Sequence, residues 1–303
     1  DATIIDRSSV LTTHMAEVVR NNAADLLSRQ EVKDLIELVR ETDPAVVEGV
    51  NALFSGKEPA FALDGIDFEV RPGELLAILG QNGSGKTLTM HTLAGLREAA
   101  RGQALLGGRD ISRGPRQDTA RRLALLPQHV DDIFPATVLE TAMIGRHPHI
   151  GRFEWESPRD TAITRAALAA VDLDTLAQRD VLTLSGGERR RLAIAQVLTQ
   201  QPDVYLLDEP TNHLDPQHQL DTLRLFRGKA NDGAAVIASL HDVNLAVRYA
   251  DRCLLLYGDG RWDIGNTNEV LDESRLSELF ATRMEALDWR SLRLFIASGD
   301  VAP

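Results

Sequence analysis

Cysteine is almost missing from this sequence. With Cys253 alone, no internal disulfide can form, which suits a reducing compartment. Cys253 sits in Cys253-Leu254-Leu255-Leu256-Tyr257, which reads as a buried strand, so a packing role is expected of it. Long apolar runs are missing too. No stretch reaches the roughly 18–20 apolar residues that cross a bilayer, so any membrane role is expected to come through a partner. The N-terminus has neither the basic start nor the apolar core of a signal peptide. It opens on Asp1 rather than Met, as a fragment or a processed form does. Positive charge is in deficit: 33 Lys and Arg against 45 Asp and Glu leave a net charge of −12. That balance is a poor one for non-specific nucleic-acid binding, which depends on Lys and Arg meeting phosphates. No internal repeat or low-complexity segment is present.

Glycine is missing before Gly49. Residues 1 to about 50 instead show helical spacing, with Leu11, Met15, Val18 and Val19 on one face. Ser28-Arg29-Gln30-Glu31 has the form of a capping box ahead of Val32, Leu35, Ile36 and Val39. Asp43-Pro44 reads as a stop and a new start. From about Val46 the texture changes. Phe68-Glu69-Val70, Leu75 to Leu79, Val204 to Leu207 and Ala235 to Ala238 read as strands, with helices over Asp160–Val171 and Glu188–Leu198 between them. The alternation predicts an α/β sheet. Tyr257-Gly258-Asp259-Gly260-Arg261-Trp262 reads as a hairpin turn.

Gly80-Gln81-Asn82-Gly83-Ser84-Gly85-Lys86-Thr87 matches the P-loop pattern G-x-x-x-x-G-K-[ST], between a strand and an apolar helix. The glycines let the backbone curl so that successive N–H groups face phosphate oxygens, and the helix start adds its positive dipole end. Lys86 supplies a charge to the β- and γ-phosphates, and the Thr87 hydroxyl suits Mg²⁺. Asp208 and Glu209 close the apolar run Leu206-Leu207. At a strand's carboxyl end Asp208 can hold Mg²⁺ through water, and Glu209 can take a proton from the attacking water.

These elements fall in an order that resembles the ATP-binding-cassette proteins. Leu184-Ser185-Gly186-Gly187-Glu188 is similar to their signature motif, Gln128 to the Q-loop glutamine, Thr211-Asn212-His213-Leu214-Asp215 to the D-loop, and His241 to the switch histidine. The resemblance covers about residues 58–303. It implies a P-loop NTPase fold with a RecA-like core, an antiparallel β layer and a helical subdomain at about 129–190. It also implies a head-to-tail dimer enclosing two ATPs with Mg²⁺. In that dimer Ser185 and Gly187 contact the γ-phosphate on the other chain, Gly186 and Asp215 are also among the nucleotide-binding residues, and Gln128 joins Thr87 and Asp208 at the metal. The bottom-up reading agrees: a Ser-Gly-Gly turn opening a helix is an anion site, and one chain already fills that need with its P-loop. One position departs from the family. Leu88 stands where Ser or Thr is usual beside the α-phosphate, which predicts reduced nucleotide affinity, and Thr89 faces another direction.

Within the family, Gly145-Arg146-His147-Pro148-His149 and the Gln217–Leu220 stretch resemble ATPase subunits of iron-siderophore, haem and cobalamin importers. This implies integral membrane permease subunits as partners, a substrate-binding protein acting indirectly, and a place in the cytoplasm on the inner face of the cell membrane. Two other readings stay open. One is a soluble cassette acting on nucleic acid or the ribosome, though the 56 residues between Gln128 and Ser185 carry no heptads and only one cassette is present. The other is a non-catalytic protein, although Lys86, Asp208, Glu209 and His241 are all retained. His147 and His149, split by Pro148, read as a structural loop rather than a metal site. Arg189-Arg190-Arg191 reads as a solvated face or as partners of acids.

Residues 1–50 do not share the cassette resemblance. Thr12 to Val19 and Leu26 to Val32 resemble part of the cytoplasmic domain of the export-gate protein of flagellar and type III secretion systems. A fusion or artificial join is implied, with the cassette over 51–303. An aromatic residue ahead of the P-loop stacks on adenine in the family. Phe54 stands at about the right distance, with Phe61 the alternative.

Overall fold

β1 (Leu75–Gly80) becomes the middle of the sheet because its run of apolar residues is fully buried on both faces. A computed structural model describes residues 66–99, 101–129, 135–151, 154–290 and 292–298. The chain divides after Ala62, and all the described residues belong to the unit that follows. After β1 come α1 (Lys86–Leu93), the short pair β2 (Leu105–Leu106) and β3 (Arg109–Asp110), α2 (Arg116–Arg122) and β4 (Leu123–Leu126). Three helices precede the next strand: α3 (Val138–Met143), α4 (Pro158–Ala169) and α5 (Gly186–Gln200). Then follow β5 (Val204–Leu207), α6 (Pro216–Asn231), β6 (Ala235–Leu240), α7 (Val243–Tyr249), β7 (Arg252–Leu256) and β8 (Trp262–Asn266). Helices α8 (Thr267–Val270) and α9 (Glu273–Phe280) lead to a closing hairpin, β9 (Met284–Trp289) and β10 (Leu292–Ala297).

The main sheet has the order β4-β5-β6-β1-β7-β8. Its first five strands are parallel, and β8 returns antiparallel to β7 through the turn predicted at Tyr257–Trp262. The period of two divides β1 between two cores. Leu75, Ala77 and Leu79 face one that draws on α5, α6 and α7; Leu76 and Ile78 face the other, with Met90 of α1. The parallel strands bring the carboxyl ends of β1, β4, β5 and β6 to one edge, where an open α/β sheet binds its ligand.

The helical part expected at about 129–190 contains α3 and α4 and the start of α5, interrupted by short 3₁₀ turns. α3 and α4 open with capping boxes, Thr137 with Glu140 and Ser157 with Asp160. Arg146, in the 3₁₀ turn Ile144–His149, is buried against Asp160 at 2.8 Å and also donates to the Thr199 carbonyl at 3.1 Å. His149 Nε2 lies 2.8 Å from the Gln200 carbonyl, which supports its structural reading. Among the described residues no cluster of His, Cys, Asp and Glu could hold a metal by itself, and no helix is long and apolar enough to cross a membrane.

One strand expectation is not met among the described residues: Phe68–Val70 forms no ladder there. Ile66, Phe68 and Val70 instead pack their alternate side chains on the second core, beside Ile111, Trp262 and Ile264. Cys253 is buried in β7, as predicted, and burial pushes its thiol up to about 11.

Candidate nucleotide site

The phosphate loop links the end of β1 to the start of α1. Gly80 closes the strand where a Cβ would lie 2.4 Å from Ser84 Oγ and 2.6 Å from the Leu256 carbonyl, so no side chain fits. Gly85, at φ +100°, turns the chain into α1 in a left-handed conformation that L side chains resist. No side chain caps α1, so its first N–H groups stay available to an anion. Lys86 is buried and donates to the carbonyls of Gly80 at 2.8 Å and Gln81 at 3.0 Å. Burial pulls its pKa below the ordinary lysine range, and the charges of Glu209 and Asp208 pull it back up. Asn82 and Gly83 are exposed, Thr87 is half-buried, and the Ser84 hydroxyl is buried without a partner. Leu88 is 37% exposed. Thr89 Oγ1 donates to the Gly85 carbonyl at 2.9 Å, so it is committed to the helix and does not replace the missing hydroxyl at position 88.

The acidic half lies at the end of β5, two strands away. Asp208 is wholly buried. Its Oδ1 accepts from Ser239 Oγ at 2.6 Å, and its Oδ2 has no partner. Glu209 stands in the left-handed region at φ +50° and is also buried. Its N–H donates to Ser239 Oγ at 2.8 Å. Three side chains converge on its carboxylate. Gln128, from the end of β4, donates to Oε2 at 2.9 Å; the Asn212 amide also donates to Oε2; and His241 Nε2, just past β6, lies 2.6 Å from Oε1. The structure therefore gathers Gln128, Asp208, Glu209 and His241 at one edge of the sheet.

Two of these partners were not read from the sequence. Ser239 is a fully buried hydroxyl in the apolar run of β6, two residues before His241 and so on the same side of the strand. Asn212 lies inside the D-loop pattern, three residues beyond Glu209. The arginine run is corrected at its middle residue: Arg190 is buried and donates to backbone carbonyls rather than standing on a solvated face, while the half-buried Arg189 and Arg191 also donate to carbonyls. Arg190 is the most buried of the three, and burial brings its pKa down to about 10.

Ser185 and Gly186 are exposed at the start of α5. Ser185 caps that helix: its N–H donates to Glu188 Oε2 at 2.7 Å, and its hydroxyl accepts from the Glu188 N–H at 3.3 Å. Asp215 caps α6 in the same way, accepting from the His218 N–H at 3.0 Å. Phe54 lies outside the described residues.

The family model for the ABC transporter matches residues 63–212. The hemin import ATP-binding protein of Pseudomonas entomophila is 42% identical over 239 residues, covering 77% of this chain and 91% of the relative. The chain belongs to the ABC transporter family. A second relative of this ABC protein, the cobalamin import ATP-binding protein of Halobacterium salinarum, is 38% identical over 73% of this chain and 56% of its own length. A metal-chelate type ABC transporter solved in an inward-facing conformation superposes with a TM-score of 0.67 at 27% identity, covering 77% of this chain and 91% of that one. The FHIPEP family model matches residues 1–58, where the export-gate resemblance was read.

Proposed function

We propose that this ABC protein is the ATP-hydrolysing subunit of an importer whose cargo is a metal chelate of the haem or cobalamin class. The observation that carries the hydrolytic part is the convergence of Gln128, Asn212 and His241 on the Glu209 carboxylate, beside the buried Asp208. A carboxylate held in this way can accept a proton from a water attacking the γ-phosphate, a role worth typically 10²–10⁴ in rate. Lys86 and the open N–H groups of α1 bind the phosphates. The residues also fit Mg²⁺. Asp208 Oδ2 is a buried carboxylate oxygen without a partner, and the Thr87 hydroxyl and Gln128 amide oxygen would be further ligands, beside water and phosphate oxygens. When bound, Mg²⁺ neutralises phosphate charge. The cargo class rests on the names of the relatives.

The Ser185-Gly186-Gly187 turn, exposed at Ser185 and Gly186, supports a head-to-tail dimer in which it meets the phosphates held by a second copy. Permease subunits are the proposed membrane partners, placing the protein in the cytoplasm on the inner face of the membrane. A division into a helical segment over 1–50 and a cassette over 51–303 is proposed as well; the family matches at 1–58 and 63–212 support the two parts but favour a join between about 58 and 63. The test is co-expression with candidate permease genes. The expected result is that an integral membrane subunit co-purifies and that its chelate stimulates ATP turnover. Turnover by a chain that captures no membrane subunit would favour the soluble reading.

A further inference from the structure

We infer that Arg190 is a positioning residue that fixes the backbone of the two loops carrying Gln128 and Glu209. It projects from the second turn of α5, five residues beyond Ser185, and its guanidinium reaches four carbonyls. Nη1 donates to Pro127 O at 2.6 Å and to Gln128 O at 3.3 Å. Nη2 donates to Asp208 O at 2.6 Å and to Glu209 O at 2.8 Å. One side chain thus joins the ends of β4 and β5 to the helix that the signature turn opens. The planar fork of arginine suits four acceptors in two directions, and a lysine ammonium cannot reproduce it.

The backbone of Glu209 shows why such a fixture matters. A non-glycine residue at φ +50° persists only where its surroundings impose the conformation. Here both sides of the residue are held. Its N–H donates to Ser239 Oγ, and its carbonyl accepts from Arg190. That conformation aims the side chain at Gln128 and His241. Without the Arg190 contact, Glu209 and Gln128 lose their common anchor, and a misplacement of about 1 Å can cost on the order of 10²-fold in rate.

The inference rests on Glu209 being the general base, and the test separates the two. ATP turnover, binding of a fluorescent ATP analogue and thermal midpoint are measured for Arg190→Gln, Arg190→Lys, Glu209→Gln and the double variant Arg190→Gln/Glu209→Gln. Arg190→Gln is expected to lower kcat by about 10- to 100-fold, with KM and analogue affinity within about threefold of the parent. Arg190→Lys should recover part of the loss. In the double variant the arginine change should cost little beyond Glu209→Gln, because both act through one group. The inference is overturned if both Arg190 variants fold and keep kcat within about twofold, or if the losses multiply in the double variant. It is equally overturned if kcat, analogue affinity and thermal midpoint fall together without rescue by lysine, since that marks a packing role. If Glu209→Gln itself turns over normally, the base assignment fails instead.

Discussion

Two glycine-containing turns of this molecule, Gly80–Thr87 and Ser185–Gly187, open helices, and they are built differently. The first is tied into the sheet: Gly80 ends the central strand, Lys86 is buried, and no side chain caps α1. The second is exposed, and its serine is already occupied in capping α5. An uncapped helix start beside a buried cation is a complete phosphate site. A capped, exposed helix start offers one face to something outside the chain. The comparison teaches that the first turn can bind nucleotide within one copy, whereas the second, in the proposed dimer, meets what another copy presents.

The largest expected effect breaks the first turn. Lys86→Ala should leave no measurable ATP hydrolysis, because the phosphate charge loses its fixed counter-charge. Ser185→Arg should also stop turnover while leaving nucleotide binding to the single copy intact. Mixing the two inactive variants sharpens the comparison. In a head-to-tail dimer one of the two sites joins a normal phosphate loop to a normal signature turn. Activity should reappear on mixing, and a mixture as inactive as its components would rule out sites shared between copies.

Next comes Glu209→Gln, expected to slow hydrolysis by about 10²–10⁴ while ATP still binds. Stalled ATP should hold two copies together, so gel filtration with MgATP should show a dimer that the parent forms only transiently. A smaller effect is expected of Phe54→Ala. If Phe54 stacks on adenine, its loss weakens ATP binding by about 1–3 kcal/mol, with kcat nearly unchanged because stacking is equal in ground and transition states. Equal affinity in parent and variant would move the adenine contact to another residue.

The phosphate loop, the Asp208-Glu209 pair and the buried strands at Leu75–Leu79, Val204–Leu207 and Ala235–Ala238 were legible because each is a contiguous pattern: a glycine spacing, an acid pair at a strand end, a run of apolar residues. What the sequence hid depends on distance along the chain. Nothing local says that Arg190 lies under Pro127 and Asp208, 63 and 18 residues away. A run of three arginines reads as surface because charge is usually solvated. Its middle residue, Arg190, is buried because the ends of two strands offer their carbonyls, and an arginine fork is the donor that reaches them. Phe68–Val70 shows the reverse: its alternate burial was visible in the sequence, and among the described residues it packs on the second core without a ladder.

The two capping boxes on α4 and α5 carry the smallest prediction, and they test whether the signature turn is built for stability at all. In the α4 box, hydrogen bonds from the Ser157 hydroxyl and N–H, and then from Arg146, hold Asp160 down at about 2, against an ordinary 3.8. A carboxylate with a depressed folded-state pKa stabilises the fold above its ordinary value, and the contribution disappears as pH falls from about 3.8 toward about 2. Asp160→Asn keeps an acceptor oxygen but removes the charge facing the buried Arg146. With allowance for solvent at the helix end, the cost is about 1–2 kcal/mol at pH 7. In the α5 box, the Ser185 N–H, then the Ser185 hydroxyl and nearby arginines, also lower the Glu188 pKa. Yet Glu188 has no buried cation to satisfy, and glutamine fills the same box position. Glu188→Gln should therefore change stability by less than about 0.5 kcal/mol. Urea midpoints at pH 7 and pH 3 check both. The gap between parent and Asp160→Asn should narrow at pH 3, while Glu188→Gln should follow the parent throughout. A Glu188→Gln loss as large as that of Asp160→Asn would make the signature turn a structural cap first, and would overturn the contrast between the two turns.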